Sequence, residues 1–402
     1  MSTASPASRS LSFRTRDSRW RGALAVLQEM RREPGVTRAA VAQRLGLSSG
    51  SATEITARLR ELALLAETPA AASGRGRPTT VLGPHPDGPV VVAVDLRQED
   101  YRCAVAALDG RPEVLEAEAH ADRAAGRAVG TVARAVRHAC DRYGDRVRFV
   151  SVAVAATVRR GRVAQSAALG WDAVDLGALV PHPGVPLLVG NDATLAGVAE
   201  SRCGAAAGTA VALHVTIEVG VGGTLIVDGR PVEGMTGAGG EFGHLPFGDR
   251  GLRCPCGARG CWDLAVDGRA IARHLGDPPP RDPRTYARAA LGRVAEDAAV
   301  RSAVNRVAGD FASGLAGLVN ALDPGVVTLG GLAEPLRAAA APRFATALRD
   351  GLMRFRRADP PPVVAAALGE DGALHGAVAV ALDRFLTEEG LAAWASARAG
   401  RG

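Results

Sequence analysis

Three cysteines fall within eight residues, Cys254-Pro255-Cys256-Gly257-Ala258-Arg259-Gly260-Cys261, and this cluster is the tightest constraint the chain places on its own fold. Glycines at 257 and 260 let the backbone turn closely enough for three thiolates to converge. His244, ten residues upstream, supplies a fourth donor at loop distance. Tetrahedral zinc prefers Cys and His, and a Cys₃His set leaves no position for an activating water. A structural Zn²⁺ held by His244, Cys254, Cys256 and Cys261 is therefore expected, with reduced cysteines in a turn as the competing reading. A Cys254–Cys256 disulfide is disfavoured, because a single rigid proline separates the two thiols.

At 402 residues the chain is too long for one ordinary core and suggests two or three domains. No apolar run reaches the roughly 18–20 residues a membrane span requires, and the N-terminus is polar, so a cytoplasmic protein with no membrane partner is expected. In that reducing setting Cys103, Cys140 and Cys203 read as small buried hydrophobes. There is no lysine, and the abundance of Arg, Ala, Gly and Pro looks compositional. The distribution of charge says more. Residues 1–85 hold thirteen arginines against six acids, a net +7, so with +6 for the whole chain the remainder carries −1. Such an excess attracts phosphates and speeds association with DNA, although a solvated basic tail would look the same by charge alone.

Residues 1–18 are polar and basic without periodicity and read as a disordered tail. Over 19–83 the pattern becomes helical. Leu24, Leu27 and Met30 share a face between Trp20 and Arg32, and Pro34-Gly35 ends that helix. Thr37 can cap a second helix through Leu45, and Ser48 a third reaching about Leu62, with Ala52, Ile55, Leu59 and Leu62 inward. Strand-like pieces at 64–68 and 79–82 follow, joined by a Gly/Arg/Ser loop. Three short helices and a two-stranded wing make a winged helix-turn-helix. Its third helix would enter the roughly 12 Å major groove with small polar residues foremost. The candidate DNA contacts are Thr37, Arg38, Ser48, Ser49, Ser51, Thr53 and Arg58. Arg75 and Arg77, in Gly74-Arg75-Gly76-Arg77-Pro78, suit a narrow minor groove. A winged helix used for protein contacts is the alternative.

Beyond Pro89 the pattern changes to α/β. Strands are expected at 90–96, 101–108, 113–119 and 147–153, with a helix over about 122–143. A similar order returns later, with strands at 210–217, 224–227 and 326–329 and a helix over about 332–355. Two α/β lobes, each led by three strands, suggest a duplicated actin- or hexokinase-like (ribonuclease H-like) ATPase-type fold carrying the zinc loop 244–261. The first lobe would span 84–194 and be completed by a C-terminal helix over 372–398. The second would span 195–371.

These residues resemble the ROK family of repressors, open reading frames and sugar kinases. The resemblance rests on Gly239-Gly240-Glu241-Phe242-Gly243-His244, the cysteine cluster and Gly260-Cys261-Trp262-Asp263. It extends to Gly170-Trp171, Asn191-Asp192-Ala193 with Glu200, and Val327-Thr328-Leu329-Gly330-Gly331. The attached helices and Gly74-Arg75-Gly76-Arg77-Pro78 resemble the repressor branch. The resemblance implies a sugar site of Asn191, Asp192, Glu241, His244 and Asp263, where carboxylates, an amide and an imidazole grip sugar hydroxyls in pairs. His244 would serve both zinc and sugar. In this family glutamate commonly follows the Cys-Trp pair, so Asp263 is one methylene short.

Catalysis departs further. ROK kinases follow the first strand with Asp-x-Gly-Gly-Thr, whose amides approach ATP phosphates. Here Asp95 is followed by Leu96-Arg97-Gln98-Glu99-Asp100, and Glu218 stands in the second loop where kinases usually have a small residue. Asp192 matches the kinase general base but is left without a phosphate cradle. The implied protein is not an enzyme. It is a sequence-specific DNA-binding regulator of carbohydrate genes, a repressor by resemblance, answering to a sugar or sugar-phosphate effector. Its partners would be operator DNA and, as for other palindrome readers, its own copy in a homodimer or homotetramer. The alternatives are an active sugar kinase with a DNA-binding appendage and a ligand-free scaffold.

Overall fold

Helix α1 (residues 20–32) buries Ala23, Val26, Leu27 and Met30 along one face. Helix α2 (Arg38–Arg44) starts where Thr37 Oγ1 accepts the Ala40 N–H, and α3 (Ser49–Glu61) where Ser48 Oγ accepts the Ser51 N–H. Each cap satisfies an amide that a helix N-terminus leaves open. Strands β1 (Leu65–Pro69) and β2 (Thr80–Pro84) pair antiparallel. The three helices and two strands expected here are present. The computed structural model describes residues 20–69, 80–180 and 184–400. The tail expected at 1–18 and the segment carrying Arg75 and Arg77 lie outside the described residues.

The first lobe opens with an antiparallel meander, β3 (Val90–Leu96), β4 (Asp100–Ala106) and β5 (Pro112–Ala119). Helix α4 (Ala125–Tyr143), β6 (Val147–Val154), the hairpin β7 (Thr157–Arg159) and β8 (Arg162–Gln165), β9 (Leu187–Asn191) and α5 (Asp192–Cys203) follow. The sheet order is β5-β4-β3-β6-β9, with β3, β6 and β9 parallel. Every residue of β3 is buried, as expected of a central strand with helices on both faces.

The second lobe repeats the plan. Its meander is β10 (Val211–Ile217), β11 (Val221–Val227) and β12 (Arg230–Pro231). Helices α6 (Asp263–Val266), α7 (Gly268–Leu275), α8 (Pro283–Gly292) and α9 (Ala298–Leu322) lead to β13 (Val326–Gly331). Helices α10 (Ala333–Ala339), α11 (Ala341–Gly351) and α12 (Arg354–Ala358) then lead to β14 (Val363–Ala365). The order β12-β11-β10-β13-β14, with β10, β13 and β14 parallel, reproduces the first sheet. Helices α13 (Gly372–Phe385) and α14 (Glu388–Ala399) return to the first lobe. This is the actin- and hexokinase-like α/β duplication expected from element order.

Several expectations need correction. The helix over 332–355 is three helices, because Pro342 lacks an N–H and can only start α11. The C-terminal helix over 372–398 divides at Thr387, whose hydroxyl caps α14. Cys103 and Cys140 are buried, but Cys203, at the solvent end of α5, is exposed. Nor do the N-terminal elements form a core apart. Trp20, Leu27, Met30, Leu59 and Leu65 share one apolar cluster with Leu374, Leu382, Phe385 and Trp394. The composition shift near residue 84 marks a change of secondary structure, not a gap in packing.

Candidate functional site

The parallel strands of both sheets end at one cleft between the lobes, the usual place for ligands in such sheets. All five residues implied as sugar ligands line it: Asn191, Asp192, Glu241, His244 and Asp263. The cavity measures about 730 Å³ including its open mouth, which suits a small molecule. Asn191 ends β9 and caps α5, its Oδ1 accepting the Thr194 N–H at 2.9 Å while its Nδ2 donates to Ala156 O at 3.1 Å. One amide hydrogen remains for the cleft. Asp192 follows as the first residue of α5.

The Gly-rich segment before His244 is shaped by close approach. Gly240 has φ +91°, and a Cβ there would stand 2.3 Å from Gly223 O. A Cβ on Gly243 would meet Asp263 Oδ1 at 1.9 Å. Asp263 is thereby drawn inward to 8% exposure, and its Oδ1 accepts the Val221 N–H at 2.7 Å. Its other oxygen lies 3.6 Å from His244 Nδ1. The shorter acid thus spends one oxygen on the backbone of β11 and faces the imidazole with the other.

His244, Cys254, Cys256 and Cys261 bring their donor atoms within 4.8 Å of one another. Cys256 Sγ and Cys261 Sγ are 3.7 Å apart, and Cys254 Sγ is 3.9 Å from His244 Nδ1. Sulfurs sharing a tetrahedral zinc at 2.3 Å stand about 3.8 Å apart, so the donor set fits the ion in chemistry and spacing. Nδ1 is then the metal-facing nitrogen, and Nε2, 3.8 Å from Glu241 Oε2, faces the cleft.

Next to this pocket, and sharing Asp192 and Glu218 with it, is a second compartment lined by Asp95, Arg97, Glu99, His214, Arg284 and Glu370. Three of its acids, Asp95, Glu218 and Glu370, are paired with arginines. Asp95, 1% exposed, accepts from Arg97 Nε at 2.7 Å and from Arg102 Nη2 at 2.9 Å. Glu218 lies 2.7 Å from Arg284 Nε, and Arg284, 6% exposed, also reaches Glu370 at 3.2 Å. Among the described residues no cation pairs with Asp192. Burial, and then the negative charge of Asp95, Glu218 and Glu241, push its carboxyl up to about 7 against the pull of the Ala193 N–H.

Among the residues named for DNA, Ser48, Ser49, Ser51 and Thr53 are exposed around the start of α3. Thr37 is occupied as the α2 cap, and Arg38 pairs with Glu67 at 3.2 Å. Arg58 departs from expectation: it is half-buried, its guanidinium lying over the Trp20 ring at 5.5 Å. Reading the sequence alone missed Arg284 and Glu370, which line the second compartment from far along the chain with no local motif, and Arg288, which pairs with Glu370. It also missed Gln165 and Arg269, which line the same pocket as Asn191, Asp192, Glu241, His244 and Asp263.

The ROK family model matches residues 91–384, and the chain belongs to the ROK family. It is 33% identical over 149 residues to a glucokinase of Streptomyces coelicolor, covering 36% of this chain and 46% of that protein. It is 31% identical over 106 residues to the xylose repressor of Bacillus subtilis, covering 26% of this chain and 28% of that one. The matches thus span about half or less of these curated relatives. In fold, the chain is similar to the crystal structure of a ROK family transcriptional regulator, a homologue of the E. coli MLC protein. That similarity has a TM-score of 0.70 at 21% identity and covers 94% of this chain and 98% of the other. Regulators and sugar kinases therefore both occur among its relatives. No helix among the described residues is long and apolar enough to cross a membrane.

Proposed function

We propose that this protein is a sugar-responsive DNA-binding regulator, a repressor by kinship, whose kinase-like lobes bind a carbohydrate without phosphorylating it. The observation that carries this reading is the pairing of Asp95 with Arg97 and Arg102, and of Glu218 with Arg284. Where a phosphate cradle calls for glycine amides, the compartment of about 750 Å³ is lined instead by paired acidic and arginine side chains. The neighbouring pocket keeps acceptors and donors for sugar hydroxyls in Asn191, Asp192, Glu241 and His244. Asp263 holds β11 from behind by accepting the Val221 N–H. Zinc, when bound, supplies rigidity to this wall and no catalysis.

Residues 19–83 act as a winged helix-turn-helix that presents Ser48, Ser49, Ser51 and Thr53 to the major groove. Sugar acts by favouring one arrangement of the lobes, and a coupling of about 1–3 kcal/mol changes DNA affinity some 5–150-fold. Footprinting the full-length protein on DNA upstream of its own gene and of neighbouring sugar genes, with and without a panel of sugars, tests the reading. A protected site whose occupancy shifts with one sugar supports it; no sequence-specific protection at any promoter overturns it. A kinase reading draws on the glucokinase relative and on Asp192, whose carboxyl near 7 suits a general base.

A further inference from the structure

Glu370 sits on the turn between β14 of the second lobe and α13 of the first, and both lobes hold it. From the first lobe, Arg97 Nη2 donates to its main-chain carbonyl at 3.2 Å and Arg102 Nη2 at 2.7 Å. From the second lobe, Arg284 reaches its carboxylate at 3.2 Å, and Arg288 donates to the same oxygen. Arg102 also binds the side chain of the next residue, Asp371. The inner ends of the network are anchored in buried acid, Arg97 and Arg102 on Asp95 and Arg284 on Glu218.

We propose that these residues form an ionic clasp between the lobes, with Glu370 as the point where they meet, so that the arrangement of the lobes is held by the chain's own side chains. Four arginines, Arg97, Arg102, Arg284 and Arg288, converge on Glu370, two through its backbone and two through its carboxylate. Planar guanidinium groups suit this task because each can hold two acceptors at once in fixed geometry. Arg284 and Asp95 are nearly out of water, so their pairs are little screened, and removing one partner would strand the other as an uncompensated charge. Glu370 and Arg288 are about half exposed and form the releasable end. The clasp concerns lobe closure alone and stands whether or not the protein reads DNA.

Hydrogen–deuterium exchange on the full-length, zinc-loaded protein tests the clasp, with Glu370→Gln as the main variant and Asp359→Asn, an exposed acid outside the cleft, as control. Glu370→Gln keeps the shape and the main-chain carbonyl, and retention of its melting transition shows that it folds. Should it fail to fold, Arg288→Gln removes only the exposed arm and serves instead. Either variant is expected to speed exchange about ten-fold in both 96–102 and 282–290, one segment from each lobe, while Asp359→Asn leaves both unchanged. Unchanged exchange, or a rise confined to 282–290, overturns the proposal. So does protection of 96–102 in the wild type by magnesium and ATP, which would place a ligand where the clasp should be.

Discussion

The indole N–H of Trp394 in α14 donates to the main-chain carbonyl of Leu62, at the end of α3, at 2.7 Å. Helix α14 is therefore bonded to the end of α3, the helix proposed to meet DNA, across 332 residues of sequence. The same indole is packed edge-on against Phe385 of α13. Trp394→Phe keeps most of the packing but strands the carbonyl, and should cost about 1–3 kcal/mol in urea unfolding. Trp394→Ala should cost about 3–5 kcal/mol and separate the melting of residues 20–84 from that of the first lobe. A single unchanged transition in both variants would show that Trp394 does not couple the N-terminal elements to the first lobe.

Metal should prove integral to the sugar wall. Purified protein is expected to carry one zinc per chain by mass spectrometry. Cys256→Ser should lose it, lower the melting temperature and weaken sugar binding together, because metal affinity is contributed to folding and His244 faces both the cluster and the cleft. Full sugar affinity in a zinc-free protein would separate the two functions.

Asp192 carries a pH signature. Its carboxyl titrates near 7 in the folded protein and in the usual carboxylate range when unfolded, so the folded state holds its proton more tightly. Stability from this group is present at low pH and is lost as pH rises from about 4 to 7. Asp192→Asn should therefore stabilise the protein at pH 8, by about 1 kcal/mol after allowing for its partial exposure, with the gain vanishing by pH 4. It should also cost sugar affinity. A variant less stable than wild type at pH 8 would contradict this.

Arginines near the DNA-facing helix should divide by environment. Arg58→Ala removes the contact over Trp20 and should lower stability while leaving the salt dependence of DNA binding nearly unchanged. Arg75→Ala should leave stability alone and reduce the salt slope by about one unit. Ser48→Ala should cost about 1 kcal/mol through the lost α3 cap and weaken binding to all sequences. The reverse pattern for Arg58 and Arg75 would exchange their roles.

Much of this was legible in the chain. The His244–Cys254–Cys256–Cys261 donor cluster and most of the pocket wall beside it come from local runs, 239–244 and 254–263, whose glycines and donors declare themselves within a few residues. The caps at Thr37 and Ser48 were legible for the same reason. What was hidden is non-local. Pairing Glu218 with Arg284 and Glu370 needs the second sheet to be built first, and in an arginine-rich chain no single arginine stands out. The short strands β9, β12 and β14 are likewise defined by their neighbours in the sheet. The departures at 96–100 were visible as missing glycines, but the pairing of Asp95 with Arg97 and Arg102 was not.

Calorimetric titration of magnesium-ATP into the protein already saturated with its sugar bears most directly on the proposal that ion pairs, in place of glycine amides, line the compartment where a kinase would hold phosphate. No nucleotide heat and no ADP release are expected, while the sugar itself binds with a clear isotherm. Stoichiometric nucleotide binding, with ADP release abolished by Asp192→Asn, would contradict it.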